Sequence, residues 1–159
     1  MGKLYFRAMQ KLNFPSYSFR LKSTENSRSI FSILRKKFLV LTPEEWVRQH
    51  CVHYLIKEKN YSQRLLAEEG KVMVNNLSQR FDIVGFYRDG STQLIVECKA
   101  PEVKITQDTF DQIARYNMTL DATYLMVSNG LNHYFCQLDK VNKSYIFLKD
   151  LPLFSYTNE

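Results

Sequence analysis

Three residues could form an ionic reaction centre: Asp82, and Glu97 with Lys99 two positions further on. Phe81 to Tyr87 and Thr92 to Cys98 are β-branched and aromatic runs separated by Arg88-Asp89-Gly90-Ser91. The Asp-Gly centre predicts an antiparallel hairpin with a tight turn. With the turn centred between Asp89 and Gly90, Asp82 lies directly across from Glu97, and the two side-chain bases stand about 5 Å apart. Alternation places Asp82, Val84 and Phe86 with Gln93, Ile95, Glu97 and Lys99 on one face. Ile83, Tyr87, Leu94, Val96 and Cys98 take the other. Both faces are mostly apolar, so the sheet should be covered on both sides, with two carboxylates and an amine left at one end of one face.

Two carboxylates forced together repel and raise each other's proton affinity unless a divalent cation neutralises them. Mg²⁺, with Mn²⁺ able to take its place, prefers one or two carboxylates completed by water and phosphate oxygens. Lys99 could bind the scissile phosphate or help orient and deprotonate an attacking water, while the metal stabilises the developing charge. The chemistry implied is phosphodiester hydrolysis. The plainer reading is a strand-end salt bridge from Lys99 to Asp82 or Glu97, which would account for an isolated acid-x-lysine triplet. This triplet is not isolated, because Asp82 joins it.

The elements that must position these residues are legible around them. Thr42-Pro43-Glu44-Glu45 supplies an N-cap hydroxyl, Pro at the first helical position and acids in the first turn, ahead of Trp46, Val47, Val52, Leu55 and Ile56. It predicts a helix over 43–58. Leu65 to Val74 reads as a strand, and Asn75-Asn76 as a turn. After Pro101, the spacing of Phe110, Ile113 and Tyr116 predicts a helix over 109–120, capped by Asp108 or Thr109. A continuous apolar strand follows over 123–127. Strand, helix, strand in that order implies a right-handed crossover to a parallel neighbour, so the sheet is mixed. His133 to Leu138 and Ser144 to Leu148 form a final hairpin.

The chain has 159 residues, 45% hydrophobic and 14% aromatic, which suits one globular domain. Its net charge of +6 is unevenly distributed. Residues 1–41 hold nine Lys or Arg against Glu25 alone, a local +8 that leaves the remainder at −2. This front segment, expected as a basic extension packed on a domain of residues 42–159, alternates Tyr17, Phe19 and Leu21 like a half-exposed strand. Its cations, Arg35, Lys36 and Lys37 among them, read as phosphate contacts or as charges that discourage edge-to-edge aggregation.

Cys51, Cys98 and Cys136 are odd in number and widely spaced, as in a reducing compartment. His50, Cys51 and His53 read as ordinary helix residues, because their spacing does not make a zinc site. The longest apolar run, Phe38 to Leu41, is too short to span a membrane, and the protein is expected in the cytoplasm.

At Asp82 and Glu97-Cys98-Lys99, with a helix before and after, the sequence resembles the PD-(D/E)XK nuclease superfamily. Around that motif, Leu41 to Gln49, Arg80 to Ile83, Ile95 to Pro101 and Phe110 to Asn117 are similar to the N-terminal nuclease domain of type I restriction enzyme R subunits, over roughly residues 28–140. The length resembles that family's small stand-alone members rather than its motor-bearing subunits. The resemblance implies an α/β fold, restriction-endonuclease-like, with an αβββαβ core, a mixed central sheet and flanking helices. It also implies a Mg²⁺ site at Asp82 and Glu97, with Lys99 as the catalytic lysine. The acid often supplied by the family's first helix corresponds to Glu45, which competes with a capping role. Gln112 and Tyr116 match a Gln-xxx-Tyr element that in related nucleases lies beside the catalytic site and the DNA backbone. The alternative is a helix face packed on the sheet; Gln112 favours the functional reading because an apolar residue there would pack better. The proline that names the motif is Phe81 here.

The sequence therefore points to a Mg²⁺-dependent endonuclease acting on DNA, restriction-type and without its own motor, with restriction-system subunits or a second copy of the chain as partners. The other readings are a non-catalytic nucleic-acid-binding or subunit-interaction module retaining the fold, and an RNase. No helicase, methyltransferase or target-recognition region accompanies the domain within these residues, so the chain is not expected to couple cleavage to translocation alone.

Overall fold

The Thr42 cap, the tight hairpin and the apolar crossover strand are local signals, and each appears where its chemistry requires. The computed structural model describes residues 10–74, 77–118 and 122–157; the side chains of residues 71–74, 77–79, 116 and 118 lie outside that description, as does the turn expected at Asn75-Asn76. Three short strands, β1 (Leu21–Ser23), β2 (Arg28–Ser32) and β3 (Lys37–Val40), form an antiparallel sheet in the front segment. Helix α1 (Pro43–Lys57) follows, then a 3₁₀ turn, β4 (Leu66–Val74), β5 (Leu77–Phe86) and β6 (Thr92–Cys98). Helix α2 (Gln107–Met118), β7 (Tyr124–Ser128), β8 (His133–Asp139) and β9 (Ser144–Leu148) complete the order.

The result is a mixed α/β architecture with a six-stranded sheet, ordered β4-β5-β6-β7-β8-β9. All neighbours are antiparallel except β6 and β7, which run parallel from Leu94 opposite Tyr124 to Cys98 opposite Ser128. The crossover through α2 makes that pair parallel. Strand β5 starts at Leu77, earlier than the apolar run indicates, because pairing with β4 carries the polar stretch Ser78 to Arg80 into the ladder. Helix α2 starts at Gln107, and the Thr106 hydroxyl, rather than Asp108 or Thr109, accepts the Thr109 N–H at 3.2 Å.

Both faces of the sheet are covered, as alternation requires. Val47, Cys51 and Leu55 of α1 pack with Ile83, Leu94, Val96 and Met126. Phe110 and Ala114 of α2 pack with Val84, Ile95, Leu125 and Val127 on the other face. Each fully buried aliphatic side chain contributes about 1.5–3 kcal/mol. Helix α1 is buried nearly all round, because the front segment covers the side that faces away from the sheet. The Tyr17 and Phe19 rings lie against His50 and His53, with Phe19 also on Trp46, and this is why the alternation at 17–21 does not become a strand. Those side chains cover a helix, and pairing begins only at Leu21. Among the described residues no helix is long and apolar enough to cross a membrane.

The front segment is anchored at Gly130, whose φ of +87° is a left-handed conformation and whose carbonyl accepts the Asn13 N–H at 2.8 Å. A Cβ there would lie 2.8 Å from Leu12 Cδ2 and 3.0 Å from Val47 Cγ2. Gly130→Ala should therefore cost about 2–4 kcal/mol from left-handed strain and overpacking. Urea denaturation checks this, and a variant as stable as the parent would contradict it.

Candidate functional site

The β5–β6 hairpin places the acids, by a route that differs from the simple turn. Gly90 N–H donates to the Tyr87 carbonyl at 3.0 Å and Gly90 has φ +90°, so the loop is Arg88-Asp89-Gly90, one residue longer than a two-residue turn. A bulge between Gly85 and Phe86 absorbs the extra residue and brings Ile83 opposite Val96, as the simple turn would have done. The bulge also turns Gln93 away from its expected face: its amide Nε2 donates to the Ser155 carbonyl at 2.6 Å and its Oε1 accepts from Tyr61 at 3.4 Å.

Ladder pairing between β5 and β6 stops at Ile83 and Val96, one residue short of the expected Asp82–Glu97 pair. Asp82 instead uses its side chain as the next rung, with Oδ2 accepting the Cys98 N–H at 2.7 Å. On the other side of β5, Glu69 lies between the paired residues Glu68 and Gly70 with φ +49°, a sparsely populated conformation for a residue with a Cβ. Backbone regularity is thus interrupted on both flanks of Asp82. Lys99 is held in line by its N–H, which donates to the Ser128 carbonyl of β7 at 2.8 Å.

The charges around this gap are incompletely compensated. Burial pushes the Glu97 carboxyl from 4.5 up to about 7, with the Asp82 charge adding to the effect and Lys99 opposing it. Asp82 is also raised by burial, against the pull of the Cys98 N–H, Arg48 and Lys99. Glu44, in the first turn of α1, is raised by burial and then by Asp82, and its own charge acts on Glu97. Asp82, Glu97, Lys99 and Glu44 therefore share one electrostatic environment.

Glu45, expected as the helix's acid, binds Arg48 and Gln49, and its charge also raises Asp82. Its carboxylate accepts Arg48 Nε at 2.8 Å, a second bond from Arg48 Nη2, and Gln49 Nε2 at 3.1 Å. The capping box is consequently half made: Thr42 Oγ1 accepts the Glu45 N–H at 3.0 Å, while the Glu45 carboxylate binds Arg48. Arg48 then reaches Glu69 at 3.6 Å and Asp82 at 3.8 Å. Gln49 Nε2 also donates to Glu68 at 2.8 Å, and Ser32 Oγ donates to the other Glu68 oxygen at 3.0 Å. Sequence reasoning passed over Arg48, Glu68 and Glu69, although two acids within an otherwise apolar strand mark a position with partners.

Gln112 is exposed, and the packing side of α2 is Phe110, Ile113, Ala114 and Asn117, so an apolar residue in place of Gln112 would gain no packing, contrary to expectation. The Tyr116 side chain lies outside the described residues. Arg35 pairs with Glu69 at 3.2 Å, while Lys36 and Lys37 are exposed. Among the described residues no three His, Cys, Asp or Glu side chains are spaced to hold a metal ion as they stand. His50 Nδ1 hydrogen-bonds the Trp46 carbonyl oxygen at 2.8 Å, and Cys51 Sγ lies 3.9 Å from Cys98 Sγ, as befits core residues.

Over residues 43–152 the sequence matches the type I restriction enzyme R protein N terminus. The chain belongs to that family. No curated protein matches it.

The sign of the Glu97 shift sets a pH dependence. Between 4.5 and about 7 the folded protein binds more protons at Glu97 than the unfolded chain does, so metal-free stability falls as pH rises through that window. Glu97→Gln, which cannot ionise, should raise the melting temperature above pH 7, with the gain shrinking as pH falls towards 4.5. A gain independent of pH would contradict the assignment.

Proposed function

We propose that this chain is a divalent-cation-dependent endonuclease of the PD-(D/E)XK type, with a restriction-endonuclease-like core, hydrolysing DNA phosphodiester bonds in a restriction-type system. The observation that carries this reading is the shared environment of Asp82, Glu97 and Lys99 where the β5–β6 ladder opens. Family membership supports a nuclease-related role, and the order α1-β4-β5-β6-α2-β7 fits the core that the resemblance implies.

The residues suit Mg²⁺ or Mn²⁺. Asp82 and Glu97 offer hard oxygen donors, and burial, the main cause of their raised proton affinities, is a cost to their charged forms that a bound cation would offset. Two carboxylates suffice for Mg²⁺, which fills its other positions with water and phosphate oxygens. Glu44 is the better placed helix acid to support them, while Glu45 anchors Arg48. When bound, the cation would supply Lewis-acid stabilisation of the charge that develops on the phosphate.

The chain's own groups have definable tasks. Lys99 brings its ammonium to the phosphate's non-bridging oxygens, where negative charge grows during attack. Glu97, ionised when the cation is bound, would accept a hydrogen bond from the attacking water, whose proton passes to solvent. The water oxygen forms a bond to phosphorus, the bond to the leaving sugar oxygen breaks, and that oxygen takes up a proton. Gln112 and Tyr116, one helical turn apart on α2, are assigned to positioning the DNA backbone.

Cleavage of supercoiled DNA tests the reading. Asp82→Asn, Glu97→Gln and Lys99→Ala should each lower the rate by about a thousandfold while still folding cooperatively, and EDTA should abolish cutting. Cutting that persists in EDTA or in all three variants would overturn it.

A further inference from the structure

The β1–β3 sheet makes no contribution to the family-matched span, which starts at Pro43, yet it is joined to the acid centre at both ends. At one end β3 stops at Val40, and two residues later Thr42 caps α1 just ahead of Glu44. At the other, Ser32 donates to Glu68 and Arg35 pairs with Glu69, so the β2–β3 turn is tied to the strand beside Asp82.

Its inner face is core at Ile30, which is fully buried between a half-buried Leu39 and an exposed Leu21. Its outer face carries cations. Arg20 and Lys22 are exposed, with the Arg20 guanidinium 4.4 Å from the Phe31 ring centre and the Lys22 ammonium 5.7 Å from that of Phe38. Phe31 and Phe38 are directly paired across β2 and β3, with ring centres 5.3 Å apart. Lys36, with φ +55°, lies in the turn and Lys37, opposite Ser32, opens β3; both are exposed. Among the described residues no carboxylate lies within ion-pairing distance of Arg20, Lys22, Lys36 or Lys37.

We infer that the outer face and turn of this sheet form a docking surface for the phosphate backbone of duplex DNA, made by Arg20, Lys22, Lys36 and Lys37. Charge complementarity carries the assignment: a segment at +8 leads into a remainder at −2, and these four cations have no carboxylate partner among the described residues, while the acids beside them have Arg35 and Arg48. The aromatic rings are occupied by Arg20 and Lys22, so the surface holds its cations for phosphates instead of offering free ring faces to unstacked bases. Binding is accordingly independent of sequence and prefers duplex to single strand. Arg35 belongs to the Glu69 pair and has no phosphate role. The direction in which the surface leads DNA rests on the nuclease reading; the surface itself does not.

The test uses the full chain carrying Asp82→Asn and Glu97→Gln, so that no cutting occurs, and follows fluorescence anisotropy of a labelled random-sequence duplex across a salt series. Adding Arg20→Ala, Lys22→Ala, Lys36→Ala and Lys37→Ala should weaken binding at least tenfold. It should also flatten the dependence of log affinity on log salt by about 3–4, near 0.9 per lost phosphate contact. Lys143→Ala with Lys149→Ala, far along the chain, should change neither, and thermal melting confirms that each variant folds. An affinity within twofold of the parent, an unchanged salt slope, tighter binding to single strands, or preference for anionic vesicles over DNA would overturn the proposal. Aggregation of the quadruple variant with unchanged affinity would also overturn it, assigning the cations to edge protection instead. If the wild-type chain fails to cut DNA while the four substitutions still abolish binding, the surface stands and the nuclease reading falls. If the wild-type chain cuts DNA while the four substitutions leave affinity untouched, the nuclease reading stands and the surface falls.

Discussion

Two carboxylates, Asp82 and Glu97, are held in a largely buried setting at the open end of a sheet, and much of the surrounding structure answers the electrostatic cost of keeping them there. Burial raises the proton affinity of both. The Cys98 N–H, Lys99 and Arg48 lower the charge's cost at Asp82 without cancelling it. Arg48 can serve Asp82 because Glu45 grips its guanidinium from the same helix, so an acid in the cluster's neighbourhood is used to aim a cation. Removing Arg48 would leave Glu45 buried without its charge partner, a strongly unfavourable state.

The fold imposes this arrangement by interrupting its own regularity. Where the β5–β6 ladder ends, a side chain completes the hydrogen bonding that backbone would otherwise supply, and the neighbouring residue on β4 adopts a left-handed conformation. Rigid layers surround the interruption. Helix α1 lies between the sheet and the aromatic front segment, and α2 covers the opposite face. Acids on such elements keep their spacing without help from a ligand.

Much of this was legible where local chemistry dominates. Thr42-Pro43-Glu44-Glu45 starts a helix whatever lies around it, and the Asp89-Gly90 turn with its flanking strands brings Asp82 near Glu97. The turn's extra residue and the bulge at Gly85 and Phe86 offset each other, so the register at Ile83 and Val96 came out right although the turn did not. The β1–β3 sheet was not legible, because strands of three to five residues are held by pairing and by burial of Ile30 more than by their own pattern. Glu44 and Glu45 are adjacent in sequence and equivalent in composition. Only the structure shows that Glu45 is the one that binds Arg48, while both charges are felt in the acid cluster. The packing argument for Gln112 failed because helical phase depends on where α2 meets the sheet, and that contact runs through Phe110, Ile113, Ala114 and Asn117.

The central claim is that Asp82 and Glu97 act as one cation-binding unit, and Mn²⁺ binding followed by the electron paramagnetic resonance signal of the free ion tests it most directly. The account predicts a saturable site that is lost in Asp82→Asn and in Glu97→Gln and weakens as the pH falls below about 7, where Glu97 takes up its proton. Saturable binding that survives both substitutions, or none in the wild-type protein, would contradict it.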